Sequence, residues 1–164
     1  MKYCPECASE LSERTLEGVV RKVCDCPGCG FIHWDNPIPV VAGLVQHNND
    51  IVLARNAKWP EGVFSLITGF LERHETPASA IARELKEELG LKCETQTFIG
   101  HYPFPAMNQL LIAYWVNASG TIAISDEISE TKIVSMESLR SYDFSPLYLT
   151  TRIVNDWLRN SSTV

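Results

Sequence analysis

The sequence lacks a long hydrophobic run. Its longest apolar stretches, Ile38 to Val45 and Leu110 to Val116, are far shorter than the roughly 18 residues that a membrane-spanning helix needs. The first residues of the chain are not followed by the apolar segment that marks a secretory signal. These absences predict a protein with no membrane partner and a cytoplasmic location.

Positive charge is also scarce. The 164 residues include 20 acidic and 14 basic side chains, which gives a net charge of −6. Such a chain exerts no general attraction on nucleic acid, so nucleic acid is an unlikely partner. If the protein handles phosphates, we expect it to use a bound cation. The length fits one ordinary domain with a small appendage.

Cysteine is nearly absent beyond the N-terminal region: only Cys93 lies outside the first 29 residues. In a reducing compartment, clustered cysteines indicate metal ligands before disulfides. Two Cys-x2-Cys turns stand in this region, Cys4-x2-Cys7 and Cys26-x2-Cys29. Pairs of such turns commonly hold tetrahedral Zn²⁺, so these four thiols predict a structural zinc site.

Cys24 is an alternative to Cys26 as a ligand, although only Cys26 gives the two-residue spacing. The first 37 residues carry four basic and six acidic side chains, a poor composition for binding phosphate backbones. We expect residues 1–36 to form a small zinc ribbon used for packing or for contacts in a homodimer. Residues 37–164 then form the main domain.

The main domain alternates strand-like and helix-like patterns. Short β-branched or apolar segments predict strands at 40–45, 51–55, 63–68, 95–99, 109–116 and 133–134. Thr76 and Pro77 predict the start of a helix, and Gly90 predicts its end. A second amphipathic helix is predicted near the C-terminus. This mixture indicates an α/β layered fold.

The first helix carries three carboxylates on one stripe. Glu84, Glu87 and Glu88 stand at positions i, i+3 and i+4, and Glu88 lies at the edge of the apolar face. Like charges at this spacing destabilise a helix, and partial burial strengthens the repulsion. A divalent cation relieves it, and oxygen ligands suit Mg²⁺ or Mn²⁺. A solvated acidic helix face is the alternative interpretation of this stripe.

The residues around this stripe follow a longer pattern, Gly69-x5-Glu75-x7-Arg83-Glu84-Leu85-x-Glu87-Glu88-x-Gly90-Leu91. The pattern resembles the box of the Nudix hydrolases at every defined position. The resemblance implies an α/β/α sandwich with a mixed sheet. It also implies that Glu84, Glu87 and Glu88 are catalytic carboxylates and metal ligands, joined by the carbonyl of Gly69. Arg83 and Glu75 would orient them.

A second stretch, Tyr102 to Met107, contains the core Pro103-Phe104-Pro105. Together with the box and the zinc ribbon, it resembles the NADH pyrophosphatase branch of the family. The resemblance implies nucleotide contacts by Tyr102, Phe104 and Met107, with bases stacked on the aromatic rings. The alternative is an edge strand whose aromatic side chains pack inward.

The same branch has a further metal-binding glutamate just before a strand. Glu130, ahead of Ile133 and Val134, is the first candidate, and Glu127 is the second.

The resemblance implies divalent-metal-dependent hydrolysis of a diphosphate linkage in a small-molecule nucleotide such as NADH, ADP-ribose or FAD, giving two monophosphates. Removal of a nucleotide cap from RNA is an alternative that uses the same bond chemistry. A non-catalytic, nucleotide-sensing regulator is another, although an intact box argues against it.

Overall fold

The chain divides into two compact units, Met1–Pro37 and the part that begins at Ile38. The structure is a computed structural model, and it describes residues 1–161. The predicted boundary after residue 36 lies one residue from this division. In residues 1–161, no helix is long and apolar enough to cross a membrane.

The first unit is a small antiparallel sheet. Its strands are β1 (Leu11–Leu16), β2 (Val19–Cys24) and β3 (Ile32–His33), in the order β1-β2-β3. Glu17 and Gly18 connect β1 to β2, both with positive φ, which matches the tight turn that right-handed strand twist favours. Cys24 is the last residue of β2 in this sheet.

The second unit is built on a six-stranded mixed sheet. Its strands are β4 (Ile38–His47), β5 (Asp50–Asn56), β6 (Ile67–Phe70), β7 (Lys92–Phe104), β8 (Gln109–Ser119) and β9 (Ile128–Val134). The order is β7-β8-β4-β5-β9, and β6 pairs with β4. β4 and β8 are parallel, whereas the other pairs are antiparallel. The predicted α/β class and mixed sheet are confirmed.

The central strand β4 changes partner along its length. Its C-terminal part, from Val45 on, pairs with β5, whereas its N-terminal part pairs with β6. β6 begins later than the predicted strand at 63–68, because Ser65 forms an isolated bridge to Ala54 before the chain reaches β4. This arrangement places Gly69 opposite Val41 and directs the following loop towards the first helix.

Helices cover both faces of the sheet. The helices are α1 (Pro77–Leu89), α2 (Met136–Leu139) and α3 (Tyr148–Ser161), and a 3₁₀ turn spans Pro105–Met107. The alternating side chains of β4 divide between the faces: Val41 packs with α1, and Leu44 packs with α3. Burial of such side chains contributes about 1.5–3 kcal/mol each. The predicted α/β/α sandwich is confirmed.

The ends of α1 follow the sequence signals. The Thr76 hydroxyl accepts a hydrogen bond from the Ser79 amide at 3.1 Å, and the Ser79 hydroxyl accepts one from the Thr76 amide at 3.0 Å. Gly90 ends the helix in the left-handed conformation, with φ 68°, and its amide donates to the Lys86 carbonyl. These caps define the two ends of α1, and Glu84, Glu87 and Glu88 all lie in its second half.

Candidate active site

A cavity of about 800 Å³ lies beside β6 and α1, and we call it the carboxylate pocket. Most of its polar lining consists of acidic groups and the backbone of β6. The residues that carry this lining are Thr68, Gly69, Glu72, Arg83, Glu84, Glu87, Glu88, Asp126 and Glu127. The structure therefore places the three glutamates of α1, Gly69 and Arg83 around one cavity.

The glutamates of α1 differ in exposure. The Glu87 side chain is 58% exposed, whereas that of Glu84 is only 13% exposed. Glu88 is buried, with 8% of its surface exposed. Burial raises the pKa of Glu88 to about 7, and the negative charges of Glu84, Glu127 and Glu87 add to this effect. Glu88, the most buried of the three carboxylates, thus lies among like charges.

Gly69 lets the backbone of β6 approach these carboxylates. A Cβ atom at this position would lie 1.9 Å from the carboxylate carbon and Oε1 of Glu84. Any other residue would displace Glu84, so the close approach requires glycine. The Gly69 backbone consequently lies next to the acidic group, where its carbonyl can join a ligand set.

Arg83 forms ion pairs with three carboxylates, those of Glu75, Glu84 and Glu87. Its Nε and Nη2 atoms donate to the two oxygens of Glu75 at 2.8 and 3.0 Å, and this bidentate contact lowers the pKa of Glu75. Its Nη1 atom donates to Glu84 at 2.8 Å and to Glu87 at 3.0 Å. Burial raises the pKa of Glu84, and the Arg83 contacts partly offset that rise. Arg83 therefore contacts Glu75, Glu84 and Glu87 at the same time.

The structure differs from the prediction at the fourth acidic position. Glu127 lines the carboxylate pocket, whereas Glu130 is not among the lining residues. The Glu130 side chain is 56% exposed and lies 3.5 Å from Arg55. The reason is the start of β9, which begins at Ile128 and not near Ile133, so that Glu130 already pairs with Arg55 inside the sheet. Glu127 is the residue that immediately precedes the strand.

The aromatic stretch is also placed differently from the expectation. Tyr102 is only 3% exposed, and its hydroxyl donates to Asp156 of α3 at 2.9 Å. Its ring therefore belongs to the core between β7 and α3 and offers no face for a base. Met107 is 58% exposed on the 3₁₀ turn and is not among the residues that line the carboxylate pocket. The inward-packing alternative fits Tyr102.

Phe104 remains available as a contact residue. Side chains alternate along β7, so Phe104 lies on the same face as Tyr102, one step closer to the end of the strand. It is half-buried and lines a smaller cavity that adjoins the carboxylate pocket. Its ring meets Tyr148 edge to face, with centroids 6.0 Å apart.

In the first unit, four thiols form a cluster. The Sγ atoms of Cys4, Cys7, Cys24 and Cys29 all lie within 4.8 Å of one another. The Cys4–Cys29 separation is 3.6 Å and the Cys7–Cys24 separation is 3.4 Å. Four sulfurs placed about 2.3 Å from one tetrahedral Zn²⁺ would be separated by about 3.8 Å. The cluster has the composition and spacing for a closed zinc site.

This cluster differs from the predicted ligand set at one position, because Cys24 takes the place of Cys26. The Cys24 amide donates to the Phe31 carbonyl at 2.9 Å, which holds the end of β2 and directs the Cys24 thiol to Cys7. The Cys26 thiol is 4.0 Å from the Pro27 carbonyl. The two-residue spacing predicted Cys26, but the end of β2 places the Cys24 thiol next to the other three thiols.

Comparison with known proteins relates the second unit to one family. Residues 37–152 match the sequence profile described as NUDIX domain. The NAD-capped RNA hydrolase NudC of Pseudomonas aeruginosa is 27% identical over 140 residues, which are 84% of this chain and 49% of that protein. The human NAD-capped RNA hydrolase NUDT12 is 30% identical over 139 residues, or 80% of this chain and 29% of that protein. The matched part of the chain spans about half the length of NudC and less than a third of the length of NUDT12.

Solved structures show the same architecture. A NUDIX hydrolase from Nitrosomonas europaea superimposes with a TM-score of 0.74 and 27% identity, covering 84% of this chain and 80% of that one. An ADP compounds hydrolase superimposes with a TM-score of 0.66 over 94% of this chain and 95% of that one. At 13% identity, the second similarity concerns the fold alone.

Proposed function

The chain belongs to the NUDIX family, and from this membership and the geometry of the carboxylate pocket we propose that it hydrolyses a diphosphate linkage in a nucleotide derivative with the help of Mg²⁺ or Mn²⁺. The observation that carries the proposal is the position of Glu88. It is buried among like charges. Within residues 1–161 it forms no ion pair, because Arg83 contacts Glu75, Glu84 and Glu87 instead.

The donor set of the pocket fits a hard divalent cation. Carboxylate and carbonyl oxygens are the ligands that Mg²⁺ and Mn²⁺ prefer, and an open pocket leaves room for water and phosphate. Glu84, Glu88 and Glu127 would hold the ion, with the Gly69 carbonyl and the more exposed Glu87 at the margin. The cation, when bound, neutralises the charge on the phosphates and lowers the pKa of bound water.

The residues of the chain supply the remaining parts of the reaction. Arg83, anchored by Glu75, holds Glu84 in place, so that the acidic group does not spread under its own repulsion. One pocket carboxylate accepts a proton from the attacking water. The water oxygen bonds to one phosphorus, and the bridging P–O bond breaks with its electron pair remaining on the leaving phosphate. Two monophosphates result.

The relatives guide the choice of substrate. NudC and NUDT12 are named for hydrolysis of NAD-capped RNA. We propose dinucleotides of the NAD type, together with ADP-ribose and FAD, as substrates of this chain. RNA carrying an NAD cap is the second candidate, since the same bond would be cleaved. The net charge of −6 disfavours a long RNA footprint, but it does not prevent an RNA end from entering the pocket.

A substrate panel tests this proposal. NADH, ADP-ribose, FAD, a nucleoside triphosphate and a short NAD-capped RNA are incubated with Mg²⁺ or Mn²⁺, and the products are separated by chromatography. We expect pairs of monophosphates from the dinucleotides and a loss of at least about 10²-fold in kcat for Glu88→Gln. Glu137→Gln, on the exposed surface of α2, is the matched control. Preference for the triphosphate, or full turnover by Glu88→Gln, would contradict the proposal.

A further inference from the structure

The first unit contains one thiol more than the cysteine cluster uses. Cys26 lies between Cys24 and Cys29 in the sequence, yet its thiol is outside the group of four. A tetrahedral zinc ion has four ligand positions, so an ion bound by the cluster would leave the Cys26 thiol uncoordinated. The segment Cys26-Pro27-Gly28-Cys29 therefore joins one thiol that is a candidate ligand to one that is not.

The backbone holds Cys26 and Cys29 close together. The Cys29 amide donates to the Cys26 carbonyl at 3.1 Å, which closes a four-residue turn. Pro27 and Gly28 occupy its central positions, and the φ of 82° at Gly28 is the one that a type II turn requires there. Such turns keep their end Cα atoms within about 7 Å, and disulfides span Cα separations of about 4.4–6.8 Å. Rotation of the two side chains is thus sufficient to join these thiols.

Both thiols are accessible to small solutes. Cys26 and Cys29 are half-exposed, and together with the exposed Cys7 they line a cavity of about 560 Å³. Cys4 and Cys24 are buried and do not line this cavity. The susceptibility of a thiol to oxidation follows its exposure and its freedom to react as a nucleophile. With an ion bound, Cys26 is the thiol of this cavity that remains free to react.

The cluster itself offers different thiol pairs. The Cys4–Cys29 separation is 3.6 Å and the Cys7–Cys24 separation is 3.4 Å. Random oxidation of a metal-free cluster would therefore link Cys4 to Cys29 and Cys7 to Cys24. A linkage between Cys26 and Cys29 would instead report that the uncoordinated thiol reacted first.

We propose that Cys26 and Cys29 form a redox-active dithiol, which a hydroperoxide converts to a disulfide with release of the zinc ion. The Cys26 sulfur attacks one peroxide oxygen and the O–O bond breaks. Cys26 becomes a sulfenic acid, and the other oxygen takes the thiol proton and leaves as water or an alcohol. The Cys29 sulfur then attacks the Cys26 sulfur, so that the S–S bond forms and the S–O bond breaks. The hydroxide that leaves takes a proton from the solvent.

The second step withdraws Cys29 from the ligand set. The electron pair that Cys29 would donate to the ion now forms the S–S bond, so three thiolates remain and binding of the ion weakens. Because metal binding is coupled to the folding of such small units, the oxidation acts on the stability of the first unit. The inference concerns this unit and does not depend on hydrolysis by the second.

Zinc release and disulfide mapping test the inference on the whole chain. The zinc-loaded protein, freed of reductant, is treated with hydrogen peroxide. A chelating dye follows the zinc, and mass spectrometry of alkylated peptides identifies the linked cysteines. We expect the wild-type protein to release about one zinc per chain, to lose two thiols and to yield the Cys26–Cys29 linkage. A reductant with added Zn²⁺ should restore the starting state, because disulfides are reversible whereas sulfinic acids are not.

Cys26→Ser removes the reacting thiol and no member of the cluster. It should keep its zinc under the peroxide treatment that empties the wild-type protein. Cys93→Ser is the matched control, because Cys93 is also half-exposed but lies in β7 of the second unit, and it should release zinc as the wild-type protein does. Circular dichroism and zinc content before oxidation verify that both variants fold.

Several results would overturn the inference. Cys26→Ser that loses zinc as fast as the wild-type protein would show that Cys26 is not the reacting thiol. Cys4–Cys29 or Cys7–Cys24 linkages in place of Cys26–Cys29 would show that the cluster reacts directly. Wild-type protein that carries the Cys26–Cys29 linkage but keeps its zinc, or that is isolated without zinc, would contradict the coupling between the disulfide and the ion.

Discussion

The cysteine cluster and the carboxylate pocket both bring like-charged groups together, but they differ in the number of ligands and in the space that remains. Each gathers groups that repel one another once they are deprotonated. The thiols are four in number and mutually close, which leaves no open position on a tetrahedral ion. The carboxylates line a cavity of about 800 Å³ with room for water and substrate. The comparison teaches that ligand number and remaining space, more than charge, separate a structural site from a catalytic one.

The two sites also differ in what holds them in place. The carboxylates stand on a capped helix that packs against a sheet, so the scaffold is complete without an ion. In the first unit, the buried apolar residues are Val23 and two of the cluster cysteines, Cys4 and Cys24. A metal ion bound by the cysteine cluster would therefore contribute much of the folding free energy of the first unit, whereas a cation in the carboxylate pocket would mainly relieve repulsion.

Substitution of Cys24 in the cysteine cluster gives the largest expected effect. Structural zinc contributes about 10–16 kcal/mol to the folding of small zinc domains, and the loss of one thiolate removes a large part of it. We expect Cys24→Ser to lose zinc and to unfold the first unit. Cys26→Ser should keep about one zinc per chain, because the Cys26 thiol lies outside the cluster.

Metal analysis of the purified variants and circular dichroism measure both outcomes. Zinc retained by Cys24→Ser and lost by Cys26→Ser would restore the ligand set that the two-residue spacing predicts. Loss of zinc from both variants would show that the two thiols exchange at one coordination position.

A second comparison separates the two glutamates around the start of β9. Glu127 lines the carboxylate pocket, and Glu130 pairs with Arg55 on the exposed side. We expect Glu127→Gln to lower kcat by about 10²-fold and to raise the Mg²⁺ concentration needed for activity. Glu130→Gln should change kcat less than about twofold, since Glu130 does not line the carboxylate pocket.

Steady-state kinetics at several Mg²⁺ concentrations decide between the two positions. A large loss in Glu130→Gln with little change in Glu127→Gln would contradict the placement of β9. The two substitutions are chemically identical, so each serves as the matched control of the other.

The sequence predicts the parts of the molecule that depend on local signals. Thr76 and Gly90 mark the ends of α1, and its 3.6-residue period places Glu84, Glu87 and Glu88 on one stripe. Positions that depend on pairing between distant segments were harder to predict. Glu127 enters the pocket only because β9 begins at Ile128. That start is fixed by pairing with β5 and not by a local pattern.

The same limit applies to the aromatic residues. The stretch around Phe104 has a recognisable sequence, but only the tertiary structure shows that Tyr102 packs against α3 and is closed to ligands. Tyr148 lies more than 40 residues further along the chain, and no spacing rule joins it to Phe104. A large aromatic residue at the start of an amphipathic helix was the one available signal.

The smallest expected effect concerns stability and pH at the carboxylate pocket. In the folded protein without Mg²⁺, the pKa of Glu88 is raised from 4.5 to about 7. Between these values the folded state binds more protons than the unfolded state, so the contribution of Glu88 to stability falls as the pH rises. A pKa shift of this size corresponds to about 3 kcal/mol in the free energy of unfolding. Water in the open pocket reduces this contribution to about 2 kcal/mol.

We therefore expect Glu88→Gln to be more stable than the wild-type protein at pH 8 without added divalent cation, by about 2 kcal/mol. The advantage should shrink as the pH falls below about 7 and become small near pH 4.5, where Glu88 is protonated in the folded state and half protonated in the unfolded state. Urea denaturation from pH 4.5 to 8 measures the difference, with Glu137→Gln as the exposed control. Because the cysteine cluster is the same in all three proteins, its own pH dependence cancels. An advantage that stays constant with pH would show that repulsion at Glu88 does not set the electrostatics of this pocket.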